Sequence, residues 1–260
     1  MKHAILLARQ RSGTGAVGSV LDQQPGLKYL GEVFHPDNLG QPTNFFTFFR
    51  DRVASDPDAA LPDNRYQVYL DFLDSLSGQF PDQTLIVDIK YRSAHHLDGG
   101  WRGLVARPRS IEEAIASKRP ILHLTRRNAL HSFVSGRLAE ANKVWHAREE
   151  SQIKVTSTVL NIRQLSNYIV SSARETDLIT RWTRNYPHLV AFDYDEAFDS
   201  EGQLDKAIAG KLADLFGVEP FANRAPAFVK QAPTDMEQVI ENYDLVRRAL
   251  IGTEFRWMLD

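Results

Sequence analysis

The feature that most constrains the fold is a continuous apolar run at residues 4–8, followed at once by a polar, glycine-containing loop. A strand that is apolar at every position, rather than at alternate ones, is typical of a parallel sheet covered on both faces. After the loop, helical character resumes over residues 16–21 and ends before Pro25-Gly26. The chain is therefore predicted to begin with a buried strand, a loop and a helix.

Predicted strands and helices continue to alternate along the rest of the chain. Apolar runs predict further strands at residues 28–30, 84–89, 121–125 and 188–193. Strands that alternate with helices indicate parallel strands joined by right-handed crossovers, so we expect a three-layer α/β/α fold around a central parallel sheet. Because the sequence contains neither a recognisable linker nor an internal repeat, residues 1–260 are predicted to form a single domain.

Helical periodicity predicts the elements between these strands. It is present across residues 44–80, and in the second half of the chain it predicts helices at residues 129–148, 162–184, 203–216 and 236–250. The third of these ends at a glycine, which is a common helix stop signal.

Composition narrows the functions that such a chain can have. Its formal net charge is −2, whereas a general nucleic-acid binder carries a basic excess, so nucleic acid is not expected as a partner and any anion site must be local. With 0 cysteines, a disulfide framework and a cysteine metal site are excluded, and no metal is expected. The first apolar run is too short for a signal peptide, and no later run approaches a membrane span. We therefore expect a cytoplasmic protein.

The loop after the first predicted strand has the chemistry of an anion site. It runs Arg9-Gln10-Arg11-Ser12-Gly13-Thr14-Gly15-Ala16. A helix N-terminus exposes unpaired N–H groups and partial positive charge, and glycine lets the backbone wrap around a tetrahedral oxyanion. Arg11 adds a forked cation, and Ser12 and Thr14 add hydroxyl donors. This P-loop-like segment is predicted to bind a phosphate-rich or sulfate-rich group.

A second interpretation of the same loop stays open. Gly13, Gly15 and Gly18 match the G-x-G-x-x-G fingerprint of an NAD(P)-dependent oxidoreductase, and Glu32 falls near the place of its ribose-binding acid. Two arginines stand between the strand and the first glycine, which favours the phosphate-rich or sulfate-rich group. The Gly-Lys-Ser/Thr ending of a nucleoside-triphosphate loop is missing.

A second basic group follows the strand predicted at residues 121–125. Arg126 and Arg127 stand at the strand end where open α/β sheets bind ligands, and Ser135 lies about two turns into the next helix. Cations oppose the dipole at a helix start unless an anion is present. Arg127 and Ser135 are therefore candidates to hold one phosphate together.

These motifs resemble those of sulfotransferases that use PAPS (3′-phosphoadenosine 5′-phosphosulfate). Arg127-Asn128-Ala129 with Ser135 resembles the family's 3′-phosphate motif, and Arg11-Ser12-Gly13-Thr14 resembles its 5′-phosphosulfate loop. The segments 138–146, 192–195 and 241–243 are similar to its bacterial branch, related to trehalose and nodulation-factor sulfotransferases. Most of the chain is covered in order, although Gly15 stands where the family has a second hydroxyl residue.

The resemblance implies roles for individual residues. Arg11 and Lys90 would stabilise the charge that develops during sulfuryl transfer, and Glu32 would be the general base. Arg92 occupies the place of the histidine base of cytosolic members. The remaining candidate bases are His35, His95 and His96, and Lys230 would cover the donor nucleotide.

The implied reaction is in-line transfer of a sulfuryl group from PAPS to an acceptor hydroxyl, with release of adenosine 3′,5′-bisphosphate. The bacterial branch implies a carbohydrate or glycolipid acceptor, and a homodimer is a further expectation because related bacterial enzymes can dimerise. A third possibility is a catalytically inactive nucleotide-binding or assembly protein, because Gly15 and Arg92 replace groups that the family uses.

Overall fold

The structure is a computed structural model that describes residues 3–99, 103, 106–145, 149–227 and 235–260. Its strands are β1 (His3–Ala8), β2 (Leu27–Tyr29), β3 (Thr84–Lys90), β4 (Ile121–Thr125) and β5 (Leu189–Asp193). Its helices are α1 (Thr14–Leu21), α2 (Phe45–Ser55), α3 (Arg65–Ser77), α4 (Arg109–Ala116), α5 (Ala129–Asn142), α6 (Ile162–Thr183), α7 (Tyr194–Ala197), α8 (Lys206–Phe216), α9 (Met236–Val239) and α10 (Tyr243–Leu250).

The strands form one five-stranded sheet in the order β2-β3-β1-β4-β5. Every neighbouring pair is parallel, so the predicted central parallel sheet is confirmed. β1 lies at the centre and is buried at every position, as its unbroken apolar run predicts. The edge strand β5 is only partly buried along most of its length.

Helices cover both faces of the sheet. On one face α1 and α8 pack through residues such as Val17 and Leu212. On the other face α2, α3, α4 and the end of α6 supply Phe72, Ile111 and Ile179 to a second core. The predicted three-layer α/β/α fold is therefore confirmed, with each face of the sheet closed by its own apolar cluster.

A third cluster extends beyond the sheet and holds the start of α5 in place. It joins α5, α6, α9 and α10 through residues that include Leu130, Leu165 and Val246. Asn128 caps α5 by accepting from the His131 N–H at 3.2 Å, and its amide donates to the Met258 carbonyl at 3.1 Å. In the described part of the chain, no helix is both long and apolar enough to cross a membrane.

Two of the predicted helices differ most from the structure. α5 ends at Asn142 because Lys143 adopts the left-handed conformation with φ 54°, and residues 146–148 lie outside the described residues. The helix predicted at residues 236–250 is divided into α9 and α10. Between them Ile240 forms a parallel bridge with Thr158. The prediction failed there because the competing backbone partner lies far away in the sequence.

Candidate anion site

The carboxyl ends of the five strands meet at one edge of the sheet, because all of the strands are parallel. The side chains at or just beyond the strand ends form the candidate site, and they are Arg11, Ser12, Thr14, Glu32, Lys90, Arg126, Arg127 and Tyr194. Residues that are far apart in the sequence therefore share one small region.

The loop after β1 is tightly folded against the end of β5. Gly13 has φ +83°, and a Cβ atom built on it would lie 2.0 Å from Cε2 of Tyr194, so only glycine fits there. Gly18 has a similar role in packing, because its Cβ would lie 2.3 Å from Cε1 of Tyr29. Two glycines of the dinucleotide fingerprint are thus explained by contacts with tyrosine rings.

The start of α1 offers donors to an anion. Val17 donates its N–H to the Gly13 carbonyl at 3.2 Å, and this is the first backbone hydrogen bond of the helix. The preceding N–H groups of Thr14, Gly15 and Ala16 are those that a helix leaves without an internal partner. Ser12 is buried beside them.

Arg11 is partly buried in the loop, and its side chain contacts two other segments. It donates from Nη1 to the Trp145 carbonyl at 3.0 Å and from Nη2 to Oγ of Ser135 at 2.9 Å. Its backbone is left-handed at φ 65°, which is uncommon for a residue with a side chain. Burial, followed by the nearby Arg126, lowers the pKa of Arg11 from its usual value. A second cation so close is costly unless an anion accompanies the pair.

Arg126 completes this cationic pair. Its Nη1 donates to the Arg11 carbonyl at 3.3 Å, and its guanidinium lies 5.0 Å from the centre of the Tyr194 ring. Among the described residues, the Nε groups of Arg11 and Arg126 are both buried without a hydrogen-bond partner. Nε of Arg126 lies 3.7 Å from Oδ1 of Asp195, which is beyond hydrogen-bond distance, so both guanidinium groups keep a donor suited to an oxyanion.

Arg126 was not among the predicted site residues. The sequence shows two consecutive arginines after β4, but it does not show which of the two side chains points into the site. That of Arg126 is turned inward and buried, whereas that of Arg127 is exposed.

Arg127 and Ser135 have different partners in this structure. Arg127 forms an ion pair with Glu196, and its Nε lies 3.5 Å from Oδ2 of Asp193. Ser135 is buried and accepts the hydrogen bond from Arg11, so it joins the loop after β1. The predicted shared clasp of Arg127 and Ser135 stays a prediction.

Lys90 connects the ends of three elements. Its buried Nζ donates to Oγ1 of Thr14 at 2.5 Å and to Oδ2 of Asp88 at 2.8 Å, and lies 3.3 Å from Oε1 of Glu32. The structure thus places two predicted catalytic residues, Glu32 and Lys90, side by side and next to the loop. Glu32 is partly exposed, while Lys90 is enclosed.

Asp88 and Tyr29 were missed by the sequence reasoning. The Tyr29 hydroxyl donates to Oδ2 of Asp88 at 2.7 Å, and burial together with this carboxylate raises the pKa of Tyr29 well above its usual value. Within the described residues, Oδ1 of Asp88 is buried without a partner. A usable signal existed, because a carboxylate two residues before Lys90 lies on the same face of a buried strand.

The side chains of the other candidate bases have other partners. His35 accepts from the Asp37 N–H at 3.2 Å, and Nδ1 of His95 is hydrogen-bonded to the Asp98 carboxylate. His96 packs on Phe46 with ring centres 5.2 Å apart, and burial lowers its pKa. The predicted nucleotide contact of Lys230 lies outside the described residues.

Comparison with known proteins finds a structural likeness but no sequence match. No protein-family model matches the sequence, and no curated protein matches it. Among solved structures, the chain is similar to the sulfotransferase domain of the Synechococcus PCC 7002 olefin synthase, at 14% identity. The match covers 84% of this chain and 74% of that chain, with a TM-score of 0.44. Because this likeness is weak, functional inference rests on the geometry of the site.

Proposed function

We propose that this chain is a PAPS-dependent sulfotransferase that transfers a sulfuryl group to a hydroxyl of a carbohydrate or glycolipid acceptor. The observation that carries the proposal is the pair Arg11 and Arg126, whose buried Nε groups form no hydrogen bond with the described residues and lie near the Lys90–Glu32 pair. A group with several oxyanion acceptors would satisfy these donors. The residues present therefore fit a phosphosulfate.

Residues at different strand ends would bind different parts of the nucleotide. Arg11, Ser12, Thr14 and the first N–H groups of α1 would hold the phosphosulfate end of the nucleotide. Arg127 would bind the 3′-phosphate, with Ser135 and Lys230 as further ligands implied by the family resemblance. When bound, PAPS supplies the sulfuryl group and a phosphate leaving group.

The protein's own contribution to the chemistry is positioning and charge. Arg11 and Lys90 provide fixed positive charge where negative charge develops, which is the main way in which such transfers are accelerated. Glu32 is the proposed base that takes the proton of the acceptor hydroxyl at a carboxylate oxygen. Its partial exposure leaves that carboxylate accessible, while Lys90 3.3 Å away keeps it near the loop.

The sheet order disfavours the dinucleotide alternative. Dinucleotide-binding folds have strand order 3-2-1-4-5-6, which places β2 beside β1 and its terminal acid near the bound ribose. Here β3 lies between β1 and β2, and Glu32 is engaged with Lys90 on β3. Arg11 of the first loop is also unexplained by an oxidoreductase, whereas Arg9 pairs with Glu175.

Nucleotide binding is the first test. Thermal unfolding of the purified chain should be shifted to higher temperature by adenosine 3′,5′-bisphosphate, because a ligand that binds only the folded state stabilises it. NAD(H) at the same concentration should give no shift. Stabilisation by the dinucleotide alone would overturn the sulfotransferase proposal in favour of the oxidoreductase.

Turnover is the second test. With PAPS carrying radiolabelled sulfate and a panel of sugar and glycolipid acceptors, the wild type should label at least one hydroxyl acceptor. Glu32→Gln should lower kcat by about 10²- to 10⁴-fold while bisphosphate binding persists. An equally active Glu32→Gln would refute the base assignment. Bisphosphate binding without any transfer would instead support a nucleotide-binding protein that lacks turnover.

A further inference from the structure

Arg127 already has a partner that an incoming phosphate would have to displace. The Arg127 and Glu196 side chains form an ion pair and are 62% and 65% exposed. Glu196 belongs to the short helix α7, directly after the strand that ends at Asp193. The guanidinium group that the proposed function assigns to the 3′-phosphate is therefore already paired with a carboxylate.

We propose that Glu196 limits the affinity of this site for nucleotides that carry a 3′-phosphate. Its carboxylate holds Arg127 when no ligand is present and competes with the phosphate for the same guanidinium donors. This inference rests on the proposed function, because that function places the 3′-phosphate at Arg127. It adds a residue that sets how tightly the nucleotide donor and the bisphosphate product are held.

A phosphate can displace Glu196 from Arg127 at a low cost in free energy. An ion pair between two exposed side chains is screened by water and salt, so breaking it costs little. A phosphate brings more negative charge than a carboxylate and can accept two parallel hydrogen bonds from arginine. Once displaced, Glu196 remains near the phosphate and repels it, which weakens binding.

The neighbouring Asp193 does not act in this way. It is buried, accepts the Arg127 N–H and the Thr125 hydroxyl at 2.8 Å each, and caps α7 through the Asp195 N–H at 3.1 Å. These bonds build the turn that carries Arg127. Of the two carboxylates that face the Arg127 guanidinium, Glu196 is the exchangeable one.

Titration calorimetry with two nucleotides tests the inference. Glu196→Gln should bind adenosine 3′,5′-bisphosphate about two- to fivefold more tightly than the wild type, the range expected for loss of one exposed ion pair. Adenosine 5′-phosphate lacks the 3′-phosphate, so its affinity should be the same for both proteins. A gain in affinity is informative because damage to the fold would cause a loss.

Two controls separate the local effect from net charge. Glu140→Gln removes an exposed carboxylate that pairs with Arg137 at 3.0 Å in α5, and it should leave both affinities unchanged. In an Arg127→Gln background, Glu196→Gln should no longer tighten bisphosphate binding, because the residue for which it competes is gone.

The possible failures are distinguishable. If the wild type binds the bisphosphate and Glu196→Gln binds it equally or more weakly, the inference is overturned while the proposed function stands. Equal tightening for both nucleotides, or an equal gain in Glu140→Gln, also overturns it. If the wild type binds no bisphosphate, the proposed function falls, and this inference falls with it.

Discussion

Two of the cation–carboxylate pairs in the candidate site differ in burial. Lys90 and Asp88 lie 2.8 Å apart with side chains that are 3% and 0% exposed. Arg127 and Glu196 form the other pair at the end of β4, where both side chains face solvent. Both cations lie at or just beyond the carboxyl end of a parallel strand. Their surroundings nevertheless give the two pairs different functions.

Burial decides whether a pair can exchange its partner. Without Asp88, the buried Lys90 ammonium would keep only the partly exposed carboxylate of Glu32, so the Lys90–Asp88 pair must stay together. An exposed guanidinium can leave its carboxylate for water or a phosphate at little cost. The Lys90 pair is therefore a fixed support for the loop after β1, and the Arg127 pair is the exchangeable part of the site.

The largest effect is expected from breaking the buried pair. Asp88→Asn should lower the free energy of unfolding by about 4 kcal/mol, because it removes the carboxylate of a buried ion pair. Urea denaturation measures the loss, and Asp74→Asn on the exposed surface of α3 is the control, expected to cost less than about 0.5 kcal/mol. A cost below about 1 kcal/mol for Asp88→Asn would show that the buried pair behaves like an exposed one.

Gly13, next to Tyr194, marks the contact between the loop after β1 and the β5–α7 segment. Gly13→Ala should cost about 3 kcal/mol, from the left-handed backbone and the clash of its Cβ with the ring. Gly40→Ala is a matched control, because Gly40 has φ +89° but no atom within 4 Å of its Cβ position. It should cost only about 1 kcal/mol in the same urea experiment. Equal costs at the two positions would refute the close contact with Tyr194.

Removing a hydrogen bond to the buried pair should have a smaller effect. Tyr29→Phe deletes the hydroxyl that donates to Asp88 at 2.7 Å and should cost about 2 kcal/mol, the range for bonds to charged groups. Tyr243→Phe is the control, since its hydroxyl lies 3.5 Å from the Leu259 carbonyl and should cost less than about 0.5 kcal/mol. If the two variants were equally stable, Tyr29 would not support Asp88.

The sheet was predictable from the sequence to within about a residue at each strand end, because strands buried on both faces leave unbroken apolar runs. The break between α9 and α10 was not predictable. It depends on Thr158 pairing with Ile240 and on Asn242 bonding both backbone groups of Leu160 at 2.9 Å. Local periodicity contains no information about such distant partners, so it predicts a single helix across the break.

The sequence predicted which strand ends contribute residues to the candidate site. The structure brings Glu32 and Lys90 to one edge because parallel strands bring their carboxyl ends together, and their catalytic roles stay predictions. Which arginine after β4 turns inward was not predictable, because Asp193 accepts the Arg127 N–H from the end of another strand. Sequence spacing therefore located the basic group, while the partner of each guanidinium required the packed structure.

The smallest effect is expected from breaking the exposed pair. Arg127→Gln should lower the free energy of unfolding by less than about 1 kcal/mol at low salt, because the pair is screened and Asp193 keeps its backbone and hydroxyl donors. The cost should fade in about 0.5 M salt, where exposed charges no longer interact over more than a few ångströms. The Asp88→Asn cost should persist there, since salt does not reach a buried pair. If urea denaturation showed the Arg127→Gln cost above about 2 kcal/mol and insensitive to salt, the Arg127 pair would be as fixed as the Lys90 pair. A phosphate could then not displace Glu196 at low cost.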